Sequence, residues 1–287
     1  MISLIVATVD RVTELEQLLA SLGRQSHKDF EVLVVDQNPD DRLAPVLERH
    51  RQLTVRHLRS GRGLSRARNV GLAQASGGII GFPDDDCWYP PQLLEQVKDA
   101  FDLHPEYAAL FATLRDADHQ AVGPKWPDHA SVWSKESVWV YGVSAAGFVR
   151  REVTDAIGRF DENLGMGAAT PYQSGEDVDY FVRPLELGWE IGYDPALTVH
   201  HPSFHRIDRV RERSYSYALG GGYTLRTHHY PLRMLMKSLV RSMGGAVVSF
   251  FRGNFLMSQS YILRGAGVAR GYFLGPSDLR KARLNTD

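Results

Sequence analysis

The sequence predicts an α/β fold on a mainly parallel sheet. Three observations carry this: short apolar runs alternate with amphipathic helical stretches, the runs end in polar turns, and the spacers are long enough for right-handed crossovers. Ile2 to Thr8 is the first run, closed at once by Asp10-Arg11, and is expected as a buried strand. Thr13-Glu14-Leu15-Glu16 offers a capping box, and Leu15, Leu18, Leu19 and Leu22 follow at helical spacing. Glu31 to Val35 is a second strand, stopped by the turn Asp36-Gln37-Asn38-Pro39. A short helix with Leu43, Val46 and Leu47 leads to a weaker strand over Thr54 to Leu58. Ser65 to Ala75 is a helix of small residues, Ile79 to Phe82 a further strand, and Pro91 opens a helix carrying Leu93, Leu94, Val97 and Phe101. Beyond residue 105 the pattern loosens. Tyr107 to Thr113 and Tyr141 to Val149 are expected as strands, with Trp126, Trp133 and Trp139 in the stretch leading from one to the other. Val178 to Leu187 is expected as a helix, and Ile191 to His200 as extended chain. In such sheets ligands gather at the carboxyl ends of strands, where Thr8, Asp36 and Asp84 all fall.

The chain has 287 residues, 43% of them apolar and 23% charged, enough to bury a full core and to exclude a disordered protein. Its single cysteine, Cys87, excludes an intrachain disulfide and a cysteine-built zinc cage and fits a reducing compartment; a packing role suits it better than a nucleophilic one. The opening run lacks a preceding basic stretch and is expected as a strand rather than a signal peptide. A net charge of -1 hides an asymmetry: residues 203–287 hold 14 Lys/Arg against 4 Asp/Glu, leaving residues 1–202 strongly acidic.

The most informative segment is Asp84-Asp85-Asp86, between the strand ending at Phe82 and Cys87-Trp88-Tyr89-Pro90-Pro91. Three like charges in one turn repel, and a divalent cation is the simplest remedy. Hard oxygen ligands suit magnesium or manganese, metals commonly shared with the phosphates of a nucleotide. A solvated acidic turn that caps the next helix is the alternative.

Five segments together resemble family 2 glycosyltransferases of the GT-A fold: Leu4 to Arg11, Val34 to Asn38, Gly63 to Gly71, Phe82 to Asp86, and Gly175-Glu176-Asp177. The resemblance covers roughly residues 1–205, divided into a nucleotide-sugar half (1–104) and an acceptor half (105–205), with 206–287 as a helical extension. It implies that Asp84 meets the ribose, that Asp85 or Asp86 holds Mn2+ or Mg2+, and that His200 or His201 completes the metal site. It implies that Thr8, Asp36 and Gln37 border the base and that Arg66 and Arg68 border the diphosphate of UDP, dTDP or GDP. Asp177 is implied as the general base, with Glu176, Gly165, Met166 and Gly167 bordering the acceptor. Trp126, flanked by Lys125 and Pro127, is a candidate for stacking on a sugar. Ala7, Val9 and Gln37 depart from the common family pattern and leave the base open.

In the tail, Arg206 to Leu219 is expected as a basic helix broken by Gly220-Gly221-Gly222. From Met234 to Phe251 apolar residues alternate with Lys237 and Arg241, as in a helix lying on an anionic membrane surface, and a hairpin packed on protein is the alternative. The expectation is an inverting, metal-dependent transfer from a nucleoside-diphosphate sugar to a hydroxyl of a glycan or lipid-linked glycan. Cell-envelope or exported polysaccharide synthesis is the expected setting, in the cytoplasm or at the inner face of the membrane. No nucleic-acid partner is expected, and a homo-oligomer is left open. A catalytically silent sugar-nucleotide binder or membrane scaffold is the rival, and a sugar nucleotidyltransferase the more distant one.

Overall fold

β1 (Ile2–Thr8) runs parallel to β2 (Phe30–Asp36), with Ile2 opposite Phe30 and Thr8 opposite Asp36. Both strands are buried almost end to end, which is why they are continuous apolar runs rather than alternating ones. The link between them is α1 (Val12–Gly23), whose Leu15, Leu18, Leu19 and Leu22 are fully buried. Each such side chain contributes about 1.5–3 kcal/mol of hydrophobic stabilisation. The helix starts at Val12 with no side-chain cap, so Thr13 lies within its first turn and the expected capping box does not form.

After β2 come α2 (Ala44–Arg49), β3 (Val55–Arg59), α3 (Leu64–Leu72), β4 (Ile79–Gly81), α4 (Leu93–Leu103), β5 (Tyr107–Arg115), β6 (Ser131–Val132), α5 (Lys135–Tyr141), β7 (Gly147–Arg150) and α6 (Arg151–Ile157). They are followed by α7 (Glu176–Glu186) and β8 (Glu190–His200). Among the described residues eight strands form one sheet in the order β3-β2-β1-β4-β7-β5-β8-β6. β3, β2, β1 and β4 are parallel, β7 is antiparallel to both its neighbours, and β5 pairs in parallel with β8. The mainly parallel sheet matches the expectation, but the strand expected over Tyr141 to Val149 does not. Ser134 and Ser137 close a capping box that starts α5, which runs through Tyr141, and only Gly147–Arg150 is extended.

The computed structural model describes residues 1–203 and 210–274, and the chain divides into two units: Met1–Phe160 with Tyr180–Phe204, and Asp161–Asp179 with His205–Asp287. The second unit contains α8 (Val210–Thr227), α9 (Leu232–Phe251) and α10 (Phe255–Phe273). Residues 206–209 of the expected basic helix lie outside the described residues. Gly220 to Gly222 do not break α8; Gly220 and Gly222 serve close packing instead. A Cβ on Gly222 would overlap the Val268 carbonyl of α10, and one on Gly271 would overlap the Leu219 carbonyl of α8. Gly267 faces Tyr215 in the same way, its added Cβ falling 2.5 Å from that carbonyl oxygen. Glycine costs helix propensity of about 1 kcal/mol per residue, here offset by two helices approaching backbone to backbone.

Candidate active site

The carboxyl ends of β1, β2 and β4 bring Thr8, Asp36 and the Asp84–Asp86 turn to one rim of the first unit. Asp36 is fully buried and heavily committed. Its Oδ1 accepts from the Asn38 backbone N–H (2.8 Å) and Asn38 Nδ2 (2.7 Å), and its Oδ2 lies 2.9 Å from both His57 Nε2 and Arg59 Nη1. Gln37 Oε1 accepts from the Gly63 N–H at 2.8 Å. Both residues therefore brace the turn that follows β2. Thr8 is buried beside them.

In the acidic turn Arg11 Nη1 donates to Asp85 Oδ1 at 3.0 Å and also pairs with Asp86 Oδ2. Burial pushes the Asp85 carboxyl up to about 7 against the pull of Arg11, with Asp86 and Asp84 adding to the rise. Burial opposes the Arg11 charge in turn, but the two carboxylates outweigh it and raise its pKa. A two-residue bridge between Trp88 and His200 draws the exit of the turn onto the end of β8. His201 consequently meets the cluster, its Nε2 3.4 Å from Asp86 Oδ1 and 3.8 Å from Asp84 Oδ2. His200 does not: its ring stacks on Trp88 at 5.3 Å and its Nδ1 lies 3.2 Å from the Asp116 carbonyl oxygen, so of this pair only His201 reaches the carboxylates.

Arg68 is buried, donates to Ser144 Oγ at 2.5 Å and lies 3.5 Å from Asp84 Oδ1. Its guanidinium rests 5.3 Å from the centre of the Phe160 ring, in the aromatic group formed with Phe82 and Tyr180. Arg66, two residues earlier on α3, is exposed. Trp126 is corrected. Its indole N–H donates to the Val122 carbonyl at 2.9 Å, and the ring is buried against Tyr141 and Tyr193, so it is a core residue with no open face for a sugar.

The remaining candidates belong to the second unit. Gly165 (φ 99°) and Gly167 (φ 78°) adopt left-handed backbone that other residues resist, and between them Met166 is exposed. Gln173 ties this loop together, Oε1 accepting from the Gly167 N–H at 2.9 Å and Nε2 donating to the Ala168 carbonyl at 3.0 Å. Asp177 follows in the first turn of α7, half-buried, with Glu176 buried beside it. This turn is mounted on α8. Ser174 Oγ donates to the Tyr217 carbonyl at 2.6 Å, His228 Nε2 lies 2.8 Å from Asp179 Oδ1 with both side chains buried, and a Cβ on Gly220 would overlap the Ser174 carbonyl.

Residues 3–139 match the model of glycosyl transferase family 2. They belong to that family. The chain is 25% identical to an uncharacterized glycosyltransferase, YwdF of Bacillus subtilis, over 57% of its own length and 63% of the relative's. It is 31% identical to an uncharacterized glycosyltransferase of Haemophilus influenzae over 39% of its length and 38% of that protein's, so it spans less than two thirds of either relative. A glucosyl-dolichyl phosphate glucuronosyltransferase of Haloferax volcanii is 23% identical over 71% of this chain and 69% of its own. Among solved structures, S. aureus TarS residues 1–349 with UDP-GlcNAc superposes with a TM-score of 0.59 at 17% identity, covering 99% of this chain and 92% of that one. The mannosyltransferase PcManGT of Pyrobaculum calidifontis, with GDP-Man and Mn2+, gives 0.59 at 16% identity over 95% and 87%. The fold is GT-A.

In this family 2 domain the donor set suits a divalent cation. Asp86 Oδ1 is buried and accepts no hydrogen bond, although His201 Nε2 lies 3.4 Å away, and a buried carboxylate oxygen left so is costly unless a cation meets it. Ligand atoms of Asp86, Cys87 and His201 lie within 4.8 Å of one another. Burial, with Asp84 and Asp86 adding to it, holds the Cys87 thiol well above its ordinary pKa, so oxygen and imidazole are the fitting donors and Cys87 keeps its packing role. Arg11 was missed as a participant. The only signal in the sequence was a basic residue three places beyond the end of β1, on the rim that receives the acidic turn.

Proposed function

We propose that the chain transfers a sugar, with inversion, from a nucleoside-diphosphate sugar to a hydroxyl of a glycan or lipid-linked glycan. The observation that carries this is the acidic turn of a family 2 domain meeting His201, with a buried Asp86 oxygen lacking a hydrogen bond. Asp86 and His201, with Asp84 alongside, would hold Mn2+ or Mg2+. That ion supplies positive charge to the diphosphate oxygens as they leave. Arg11 offsets part of the charge of Asp85 and Asp86, and Arg68 holds Asp84 toward the ribose.

Asp177 is the general base. The acceptor oxygen bonds to the anomeric carbon, the bond from that carbon to the diphosphate oxygen breaks, and the acceptor's proton passes to the Asp177 carboxylate. Complexes of fold neighbours with UDP-GlcNAc and with GDP-Man and Mn2+ support the donor class and the metal, and the glucosyl-dolichyl phosphate glucuronosyltransferase relative supports a lipid-linked acceptor.

The test is Asp177→Asn. It is expected to lower kcat by about 10²–10⁴-fold while nucleotide affinity, measured by calorimetry, stays within about twofold. Turnover at the parent rate would remove Asp177 from this role.

A further inference from the structure

α9 is divided lengthwise into three sectors. Leu232, Met236, Val240, Met243, Val247 and Phe251 fall within an arc of about 100° at 3.6 residues per turn. All six are exposed, Met243 at 69% and Phe251 at 82%. Arg233, Lys237 and Arg241 form the adjoining arc, also exposed. Met234, Leu235, Ser242 and Ala246 form the third and are buried. Phe255 and Ile262 extend the exposed apolar surface onto α10, which packs against both α8 and α9. An apolar patch of this extent is uncommon on a protein surrounded by water alone.

Charge identifies the occupant. Residues 213–277 contain eight Lys/Arg and no Asp/Glu. We propose that this face of α9 lies in the plane of an anionic lipid surface, its apolar arc among the acyl chains and Arg233, Lys237 and Arg241 at the headgroups. A second copy of the chain fits less well, because pairing two such faces would bring together basic strips from a stretch whose own sequence carries no Asp or Glu. A crossing orientation also fits less well. α9 is long enough at 20 residues and has mean hydropathy 1.2, but it would carry Lys237 and Arg241 into hydrocarbon, a strongly unfavourable setting.

The full chain is sedimented with vesicles of phosphatidylcholine, with and without phosphatidylglycerol, at low and high salt. Binding is expected only with phosphatidylglycerol and is expected to fall steeply with salt. Each basic residue near such a surface is worth about fivefold in affinity, so Lys237→Glu/Arg241→Glu should weaken binding by at least about 25-fold. Met243→Glu/Val247→Glu should abolish it, and both variants should melt at the parent temperature because the replaced side chains are exposed. Three results would overturn the proposal: no binding at low salt, equal salt-resistant binding to neutral vesicles, or a lipid-free dimer that Val247→Glu dissociates. No sugar nucleotide enters this measurement, so its failure would leave the transfer reaction standing.

Discussion

The two units hold their candidate residues by different means. In the first, the Asp84–Asp86 turn is fixed by a sheet ladder and by ion pairs: β4 hydrogen-bonds on both sides, and Arg11, Arg68 and His201 reach the carboxylates. In the second, the turn before Asp177 leans on a helix surface made flat by glycine, with Ser174 against Gly220 and Asp179 against His228. A ladder tolerates changes of side chain as long as the backbone pairs. A glycine contact tolerates almost none, since any Cβ must displace main chain. Substitutions in the second unit should therefore alter transfer while leaving donor binding intact.

Gly220→Val is expected to separate the two units most sharply. Its side chain would collide with the Ser174 carbonyl, at a cost of about 3 kcal/mol of stability. Urea unfolding should show that loss, and kcat should fall while nucleotide affinity stays close to that of the parent. Equal loss of nucleotide affinity would break the distinction. His228→Phe should do less. It removes the His228 contact from the buried Asp179 carboxylate, costing about 2 kcal/mol, again with the effect on kcat exceeding that on nucleotide affinity. If stability were unchanged, the His228–Asp179 contact would carry no energy and the mounting of the turn would rest on the Ser174–Tyr217 hydrogen bond and the glycine packing.

The same contrast decides what could be read from the sequence. β1, β2 and β4 were legible because strands buried on both faces appear as unbroken apolar runs, and the turns after them carry their own signals. The stretch 135–150 was not. Tyr141 is expected to open a strand, yet it closes the helix that the Ser134–Ser137 capping box starts, and the strand begins only at Gly147. Gly220 to Gly222 carry the ordinary signature of a helix break, and only the neighbouring carbonyls reveal Gly220 and Gly222 as packing positions. Within the site, the acidic turn was legible as a charge problem. The choice of His201 over His200 depended on the Trp88–His200 bridge, a pairing between residues far apart in sequence. Trp126 was misjudged because its burial depends on Tyr141 and Tyr193, which the sequence does not connect to it.

The central claim is that Asp86 and His201 form the metal-dependent part of a sugar-nucleotide site. Calorimetric titration of UDP, dTDP and GDP into the full chain, with and without Mn2+, tests it most directly, in the parent and in Asp86→Ala. One nucleotide is expected to bind, at least about tenfold more tightly with Mn2+, and Asp86→Ala is expected to erase that difference. Nucleotide binding indifferent both to Mn2+ and to Asp86→Ala would contradict the account.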